Sequence, residues 1–446
     1  MYTITQKASL INKAQSSAES TRLQFFLLSI VWVFQAFRPE WIAGLKFLAP
    51  IPTLIQLVLL LLWFMYSNKK MDSPITKYFF LFLIGMILSS IFARNNGIGR
   101  DIIRGMFFLY ITYIVTITFA NNAKRIFMII NIFILGQLFI AIRAIQGGGA
   151  IYGDSQYVDE NIVALGMNIL FPLSLFLGIG EQNRIKKIFY FVFLGISLTA
   201  IVVANSRGGF VGLIAVLLFA WLKSPINKLK TASVILIIVL AMAYFAPKSF
   251  WDDMSTLEQG TQESTASERI YFWKIAIREF LDHPIIGVGV LNFGILLPEY
   301  ARPDDTLSDG RRVEGRNRAY GRVAHSIYFT VLSELGSVGV VIFCLICYWF
   351  YKDVNFNKKE IKPIITIGER QEEDAIKENL VFQSLKKCHS LSLGIMGSMI
   401  GFLMAGAFLS VIYFPQFWWL CTLGVLLGIC RRKIIEDIKA NERVYL

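Results

Sequence analysis

Arg207 lies in a segment that could cradle a phosphate group. Its neighbours are Ser206, Gly208 and Gly209, directly before an apolar stretch. A helix that begins here would present free N–H groups, the glycines would let a ligand approach the backbone, and a guanidinium can grip two phosphate oxygens at once. The alternative left open by the spacing is an arginine that extends to lipid headgroups.

His325 begins a second segment of interest, because an imidazole at a membrane boundary can act as a general base for a hydroxyl nucleophile. Ser326 follows it, and Gly336 and Gly339 lie further along the same apolar run. Eleven residues at about 100° each bring His325 and Gly336 to one face of a predicted helix, where glycines admit close packing or a ligand. The alternative is a histidine that only caps the helix.

Arg269 falls in the first turn of a predicted amphipathic helix over residues 265–282. Its apolar stripe is predicted to lie in the membrane interface or on the helix bundle, and contains Ile270, Trp273, Ile277, Phe280 and Leu281. Arginines then cluster at positions Arg302, Arg311, Arg312, Arg316, Arg318 and Arg322. Such a cluster suits an anionic partner, although the interspersed acids also fit a solvated loop.

The elements that must position these side chains are membrane helices. The chain has 446 residues, of which 55% are hydrophobic and only 17% charged, an excess over ordinary soluble domains. Long apolar stretches predict an all-α polytopic membrane protein with about twelve transmembrane helices. The predicted spans are 23–37, 50–66, 77–93, 103–120, 125–145, 161–180, 187–204, 208–223, 231–247, 325–350, 391–411 and 414–430.

The distribution of charge predicts the orientation. In the short loops, most Lys and Arg fall on the side of the N-terminus, which places both termini in the cytoplasm. The net charge of +13 is then a topological feature, and no nucleic-acid partner is expected. The first 22 residues are polar, so we expect no cleaved signal peptide. The five cysteines lie in or beside helices or in a cytoplasmic loop, which predicts no disulfide framework.

This topology divides the chain into five parts. Helices 1–9 occupy residues 1–247, a long and partly helical periplasmic loop occupies 248–324, and helices 10–12 occupy 325–430. A cytoplasmic loop spans 351–390 and a cytoplasmic tail 431–446. All three candidate residues are therefore expected on the outward face, which is the periplasmic face if the cell is Gram-negative. No nucleotide-binding motif or metal-ligand cluster is present in the sequence, so we expect neither a cofactor nor a metal.

The segment from His325 to Gly339 resembles a motif of the O-antigen ligases, His-(Asn/Ser/Gln)-x9-Gly-x-x-Gly. These membrane glycosyltransferases transfer glycan from undecaprenyl diphosphate to lipid A–core oligosaccharide. The chain is also similar to them in its twelve expected helices, its long loop before the motif, and its Ser-Arg-Gly segment at Arg207. The loop pattern from Ser267 to Gly289 looks like theirs as well.

The resemblance implies that Arg207 and Arg269 bind the lipid-linked diphosphate and that His325 assists attack by the acceptor hydroxyl, without a metal ion. The substrate-binding residues expected around them are Ser206, Gly208, Gly209, Ser326, Gly336, Gly339, Arg311, Arg312, Arg318 and Arg322. Fixed guanidinium groups can stabilise charge that grows on a leaving diphosphate, and one displacement would invert the anomeric carbon. The expected setting is the bacterial inner membrane.

Related activities stay open. Bacterial protein O-glycosylation ligases (O-oligosaccharyltransferases), whose acceptor is a protein hydroxyl, and O-antigen polymerases share this region, so the donor is better supported than the acceptor. A lipid-linked glycan transporter would bind the same anion without chemistry. Transport needs polar groups along a path through the membrane, whereas the strongly polar residues inside the predicted helices are few.

Overall fold

Apolar helices dominate the computed structural model of the protein. The structure describes residues 21–42, 44–67, 69, 71, 73–154, 156–223, 227–245, 248, 251, 264–302, 305–307, 321–355 and 380–445. Within these ranges there are fourteen α-helices and no β-strand. In chain order they are α1 Arg22–Phe37, α2 Pro50–Met65, α3 Pro74–Ile91, α4 Arg100–Phe119, α5 Ala123–Gln146, α6 Glu160–Gly180, α7 Arg184–Val203, α8 Arg207–Lys223, α9 Lys228–Phe245, α10 Ser264–Asp282, α11 Phe293–Tyr300, α12 Ile327–Val354, α13 Leu380–Gly406 and α14 Pro415–Tyr445.

Eight helical segments in the described part of the chain are long and apolar enough to cross a membrane. They are Lys46–Met65, which contains α2, then α3, α4, α5, α6, α7, α12, and Lys386–Gly406 of α13. The protein is therefore a helical membrane protein. Helices α1, α8, α9 and α14 stand where the other four spans are predicted, and their crossing of the membrane remains a prediction.

The centre of the bundle is α6, which is buried along almost its whole length. Small residues of α13 let the two backbones approach closely: a Cβ at Gly401 would lie 2.9 Å from the carbonyl oxygen of Asn168. Ser398 Oγ donates a hydrogen bond of 2.8 Å to the carbonyl oxygen of Ile169. Helix α8 joins the same group, because Asn168 Nδ2 donates to the carbonyl oxygen of Gly209 at 2.8 Å. The packing of α8 against α6 and α13 therefore fixes where α8 begins.

Helices α10 and α11 lie between α9 and α12 in the chain and form a small core of their own. That core contains Tyr271, Phe272, Ile275, Ala276, Phe293, Leu297, Ala301 and Ala324. The residues of α10 in this core lie on a different face from the predicted apolar stripe. Ile277 and Leu281 of that stripe are exposed, and its placement in the membrane interface stays a prediction.

The turn after α10 docks into a break in α12. Gly336 has φ 63° and ψ −161° inside the helix. Val288 N donates to the carbonyl oxygen of Ser333 at 2.9 Å, and Ser337 N donates to that of Pro284 at 2.8 Å. The prediction of one continuous helix from His325 through Gly336 is therefore wrong. The helix begins at Ile327 and is broken at Gly336, because the loop backbone bonds to the α12 backbone there.

Candidate functional site

The beginning of α8 is held by a serine cap. Ser206 is buried, and its Oγ accepts a hydrogen bond from Gly209 N at 3.1 Å while donating one of 2.7 Å to Asn161 Oδ1. Serine at this position satisfies one of the free N–H groups of the first turn. Arg207 is the first residue of the helix, so the cap and the bond to α6 fix the backbone from which its guanidinium extends.

The two glycines after Arg207 lie in helix packing contacts. A Cβ at Gly209 would lie 2.3 Å from Ala164 Cβ of α6, closer than real side chains approach. A Cβ at Gly208 would lie 3.4 Å from Phe408 Cβ. The absence of a side chain at these two glycines, which we expected to admit a ligand, thus lets α6 and the segment after α13 pack against the start of α8.

Asp159 and Asn161 connect this helix start to the histidine. Asp159 caps α6, since its Oδ1 accepts from Asn161 N at 2.8 Å and from Asn161 Nδ2 at 2.9 Å. Its carboxylate also acts on His325 electrostatically, in the direction that favours the imidazolium. Hydrogen bonds therefore connect the Ser206 cap through Asn161 to Asp159, whose charge acts on His325.

Arg269 of α10 approaches the same region from the loop side. Its guanidinium carbon lies 5.9 Å from the centroid of the Phe408 ring, within the range of a cation–π contact. Phe408 is also the residue next to Gly208. The first turns of α8 and α10 are thus brought together around one aromatic ring, which places Arg207 and Arg269 on the same side of the bundle.

His325 lies directly before α12, and its position depends on α10. Its backbone has φ 48°, a left-handed conformation that few side chains adopt. The imidazole stacks on the ring of Phe272 with centroids 6.1 Å apart. Trp273 Nε1 donates a hydrogen bond of 3.1 Å to the carbonyl oxygen of Ala324, the preceding residue. Neighbouring side chains of α10 therefore hold both the ring and the backbone of this histidine.

Burial and nearby positive charges favour the neutral form of His325. Burial lowers the pKa of the imidazole, and the positive charges of Arg269 and Arg322 lower that pKa further against the opposing effect of Asp159. A histidine whose pKa lies below its ordinary value is unprotonated near pH 7 and can accept a proton. Arg269 is thus one of the charges that act on His325.

The remaining predicted site residues have different surroundings. Ser326 is buried, and its carbonyl oxygen accepts from Thr330 Oγ1 at 2.7 Å. Gly336 packs against the loop, where an added Cβ would lie 2.6 Å from the Ile285 carbonyl, and Gly339 packs against Leu335. Arg322 is exposed. Arg311, Arg312 and Arg318 lie outside the described residues.

Two features of the site could not be read from the residue types. Asp159 and Phe408 carry no motif, and they enter the site only through contacts between distant segments. Glu279 lies on the buried face of α10 and is completely buried, and neither carboxyl oxygen has a hydrogen-bond partner in the described part of the chain. Burial, with the nearby Glu334 carboxyl, raises the pKa of Glu279 to about 10.

No group of three or more potential metal ligands occurs among the described residues.

Comparison with known families places these residues in one homologous region. Residues 189–344 match the family model described as O-antigen ligase, a range that contains Arg207, Arg269 and His325. No curated protein matches the chain. The match spans α7 to the middle of α12, including the turn that docks at Gly336. Over residues 189–344 the chain is therefore similar to the O-antigen ligase family.

Proposed function

We propose that the protein is an O-antigen ligase that transfers glycan from undecaprenyl diphosphate to lipid A–core oligosaccharide. The reaction takes place on the periplasmic face of the bacterial inner membrane, with both chain termini in the cytoplasm. Arg207 and Arg269 bind the donor diphosphate, and His325 is the general base. The observation that carries the proposal is the meeting of the Arg269 and Arg207 segments around Phe408, with His325 electrostatically coupled to Arg269.

The proposed reaction is a single displacement at the anomeric carbon of the donor sugar. The acceptor hydroxyl oxygen forms a bond to the anomeric carbon while the bond between that carbon and the diphosphate oxygen breaks. The electron pair of the broken bond leaves with undecaprenyl diphosphate. Negative charge grows on the leaving oxygen. Guanidinium groups held in place stabilise that charge without reorganising during the reaction.

His325 takes the proton that the acceptor hydroxyl loses. The lowered pKa supports this role, because the imidazole is neutral at the pH of the reaction and free to accept a proton. The stacking on Phe272 and the Trp273 hydrogen bond support it further, since they fix the direction of the ring. Positioned general bases typically contribute about 10²–10⁴-fold in rate.

The direct test is transfer by the purified protein in lipid nanodiscs, with an undecaprenyl-diphosphate-linked glycan as donor and polymer-free lipopolysaccharide as acceptor. We expect Arg207→Ala, Arg269→Ala and His325→Ala to lose at least about 100-fold in kcat. The matched controls are the outward Arg94→Ala and His283→Ala, whose side chains are exposed. Normal transfer by the His325 and Arg207 variants would refute the site.

Two further measurements separate the mechanism and the acceptor from their alternatives. Activity that is lost with EDTA and restored by one divalent metal would contradict catalysis by arginine alone. A deletion strain should accumulate lipid-linked polymer with bare lipid A–core. Loss of protein glycans would instead indicate a protein O-glycosylation ligase, and single repeat units on the core would indicate a polymerase. In vesicles, translocation without a new glycosidic bond would indicate a transporter.

A further inference from the structure

A cavity of about 350 Å³ lies at the end of the bundle opposite the candidate site. Helix α6 begins beside that site, where Asn161 bonds to Ser206, and ends at Gly180, which lines the cavity. Its 21 residues separate the two places by about 30 Å, because an α-helix rises about 1.5 Å per residue. Since the candidate site is expected on the outward face, we expect this cavity at the cytoplasmic face.

Four helices meet at the cavity. The starts of α5 and α7, the end of α6 and the early turns of α13 form its walls. Gly180 allows α13 to come close to α6 here, since an added Cβ would overlap Ser390 Oγ. The N-termini of α5 and α7 are positive ends of helix dipoles, against the single negative C-terminus of α6. The helix ends around the cavity therefore favour a negative ligand on balance.

Three lysines line the cavity: Lys186 of α7, and Lys386 and Lys387 of α13. The first two are exposed and Lys387 is partly exposed, so a ligand can reach them. None of the three forms an ion pair with a carboxylate in the described part of the chain. Lys387 Nζ lies 4.5 Å from the centroid of the Phe127 ring, a cation–π contact that holds it at the wall.

One acid, Glu181, also lines the cavity. Its Oε1 accepts hydrogen bonds of 3.0 Å from the backbone N–H groups of Gln182 and Asn183, so this oxygen is engaged by the turn between α6 and α7. Three lysines against one glutamate leave the lining with a net charge of +2. The cavity therefore favours an anion, and lysine is a common ligand of phosphate groups.

Apolar surface adjoins these charges. Phe127 and Leu177 line the cavity itself. Helix α7 is long and apolar enough to cross a membrane, and exposed apolar side chains flank Lys186 on it: Ile185, Ile188, Phe189 and Val192. An exposed apolar surface of this kind suits contact with lipid. An anion that carries acyl chains therefore matches the cavity better than a soluble anion does.

We propose that this cavity binds the phosphodiester headgroup of an anionic phospholipid, such as phosphatidylglycerol, from the leaflet at this end of the bundle. The phosphate lies among the three lysines, with the Ser390 hydroxyl as a further donor, and the acyl chains lie along α7. Basic pockets between transmembrane helices on the cytoplasmic side bind headgroups of this kind. The bound lipid joins the start of α13 to α5, α6 and α7, and its binding does not depend on the proposed transfer activity.

The test measures binding of phosphatidylglycerol to the full-length protein by native mass spectrometry, with phosphatidylcholine as the uncharged reference lipid. The variant Lys186→Gln/Lys386→Gln/Lys387→Gln removes the three charges of the cavity. A basic residue beside an anionic lipid contributes about fivefold in affinity, so we expect this variant to bind phosphatidylglycerol about 100-fold more weakly. Arginine at the same three positions should retain binding, because the charge is kept.

A matched control has the same loss of net charge outside the cavity. It replaces Lys124, Lys187 and Lys230 by glutamine, three exposed lysines in the first turns of α5, α7 and α9 that do not line the cavity. Its affinity for phosphatidylglycerol should stay within about twofold of wild type. An equal loss in the two glutamine variants would overturn the proposal, since net charge and not the cavity would then attract the lipid.

Thermal unfolding gives a second readout, in nanodiscs of phosphatidylcholine with or without phosphatidylglycerol. A ligand that binds the folded state raises the thermal midpoint. Phosphatidylglycerol should raise the midpoint of the wild type and of the control variant, but not that of the cavity glutamine variant. Equal affinity for glycerophosphoglycerol, the same headgroup without acyl chains, would overturn the proposal in favour of a soluble phosphate.

An acidic segment of the protein itself is the competing occupant. Glu372, Glu373 and Asp374 lie between α12 and α13 in the sequence, outside the described residues. Replacement of all three by the corresponding amides should leave the affinity for phosphatidylglycerol unchanged. Binding that becomes at least about tenfold stronger in this variant would overturn the proposal, because the segment would then occupy the cavity in the wild type.

Discussion

Replacement of Gly336 by alanine tests whether the turn after α10 and the break in α12 form one structural unit. The backbone there, with φ 63° and ψ −161°, lies in a region almost restricted to glycine and costs other residues about 1–3 kcal/mol. The added Cβ would lie 2.6 Å from the Ile285 carbonyl carbon and oxygen, which are backbone atoms. Relieving such an overlap costs a further 1–3 kcal/mol or so.

These two costs decide the sign of the effect. Alanine also restricts the unfolded chain more than glycine does, a gain of about 0.4–1 kcal/mol that offsets only part of them. We therefore expect Gly336→Ala to lower the free energy of unfolding by about 1–5 kcal/mol. The turn carries the hydrogen bonds from Ser337 N and Val338 N to the loop, so their loss should also move α10 relative to α12.

Reversible unfolding in mixed detergent–SDS micelles measures the change in stability, and limited proteolysis between α10 and α12 reports release of the turn. Transfer by the variant should fall in kcat, because α10 carries Arg269 and orients His325. The control is Gly85→Ala in α3, where an added Cβ meets no atom within 4 Å. An unfolding free energy within about 0.5 kcal/mol of wild type, with an unchanged proteolysis pattern, would refute the reasoning.

Three other perturbations test the surroundings of the site. Arg269→Gln removes a positive charge that lowers the pKa of His325, so this pKa should rise and the acid limb of the kcat–pH profile should move to higher pH. NMR of labelled histidine measures the pKa of His325 directly. An unchanged pKa in the variant would contradict the electrostatic effect of Arg269. Ser206→Ala removes the cap of α8 and the hydrogen bond to Asn161, so the free energy of unfolding should fall by about 1 kcal/mol and kcat should fall with it. The control is Ser233→Ala on the exposed face of α9, which should change neither quantity. Burial raises the pKa of Glu279 to about 10 in the folded protein, whereas the pKa of a glutamate in the unfolded chain is about 4.3. The wild type should therefore lose stability as the pH rises from about 4.3 toward 10, while Glu279→Gln should not. Thermal midpoints that stay parallel for the two proteins across this range would show that the carboxyl is solvated.

Apolar runs placed twelve of the fourteen described helices, but not all of their ends; a capping box indicated α10, and α11 was not predicted. The predicted span 391–411 belongs to a helix that already begins at Leu380, and the span 414–430 belongs to one that continues to Tyr445. Hydropathy detects the part of a helix that suits the bilayer. Hydropathy carries no information about polar helical turns that extend the same helix beyond the bilayer. The first turns of α13 and the last turns of α14 are therefore helical where a loop and a tail were predicted.

Side-chain type and position singled out Arg207, Arg269 and His325 as candidates, but not the residues that contact them. The bond from Ser206 to Asn161 joins positions 45 residues apart, and no local pattern encodes it. The helical-wheel argument for His325 and Gly336 failed for a related reason. It assumes regular geometry, whereas hydrogen bonds from a separate segment make the broken geometry at Gly336 favourable.

The way His325 is held has a consequence for how the site is organised. Phe272 stacks on its ring, Trp273 binds the carbonyl of the residue before it, and Arg269 lies one turn earlier on the same helix. The proposed base and one proposed diphosphate ligand are therefore positioned by a single helix outside the eight segments that are long and apolar enough to cross a membrane. Arg207 is positioned separately, by the cap and packing of α8 against α6. The distance between the two arginines is thus set by how α10 sits on the bundle, and the turn at Gly336 and the Phe408 ring are the contacts that fix it.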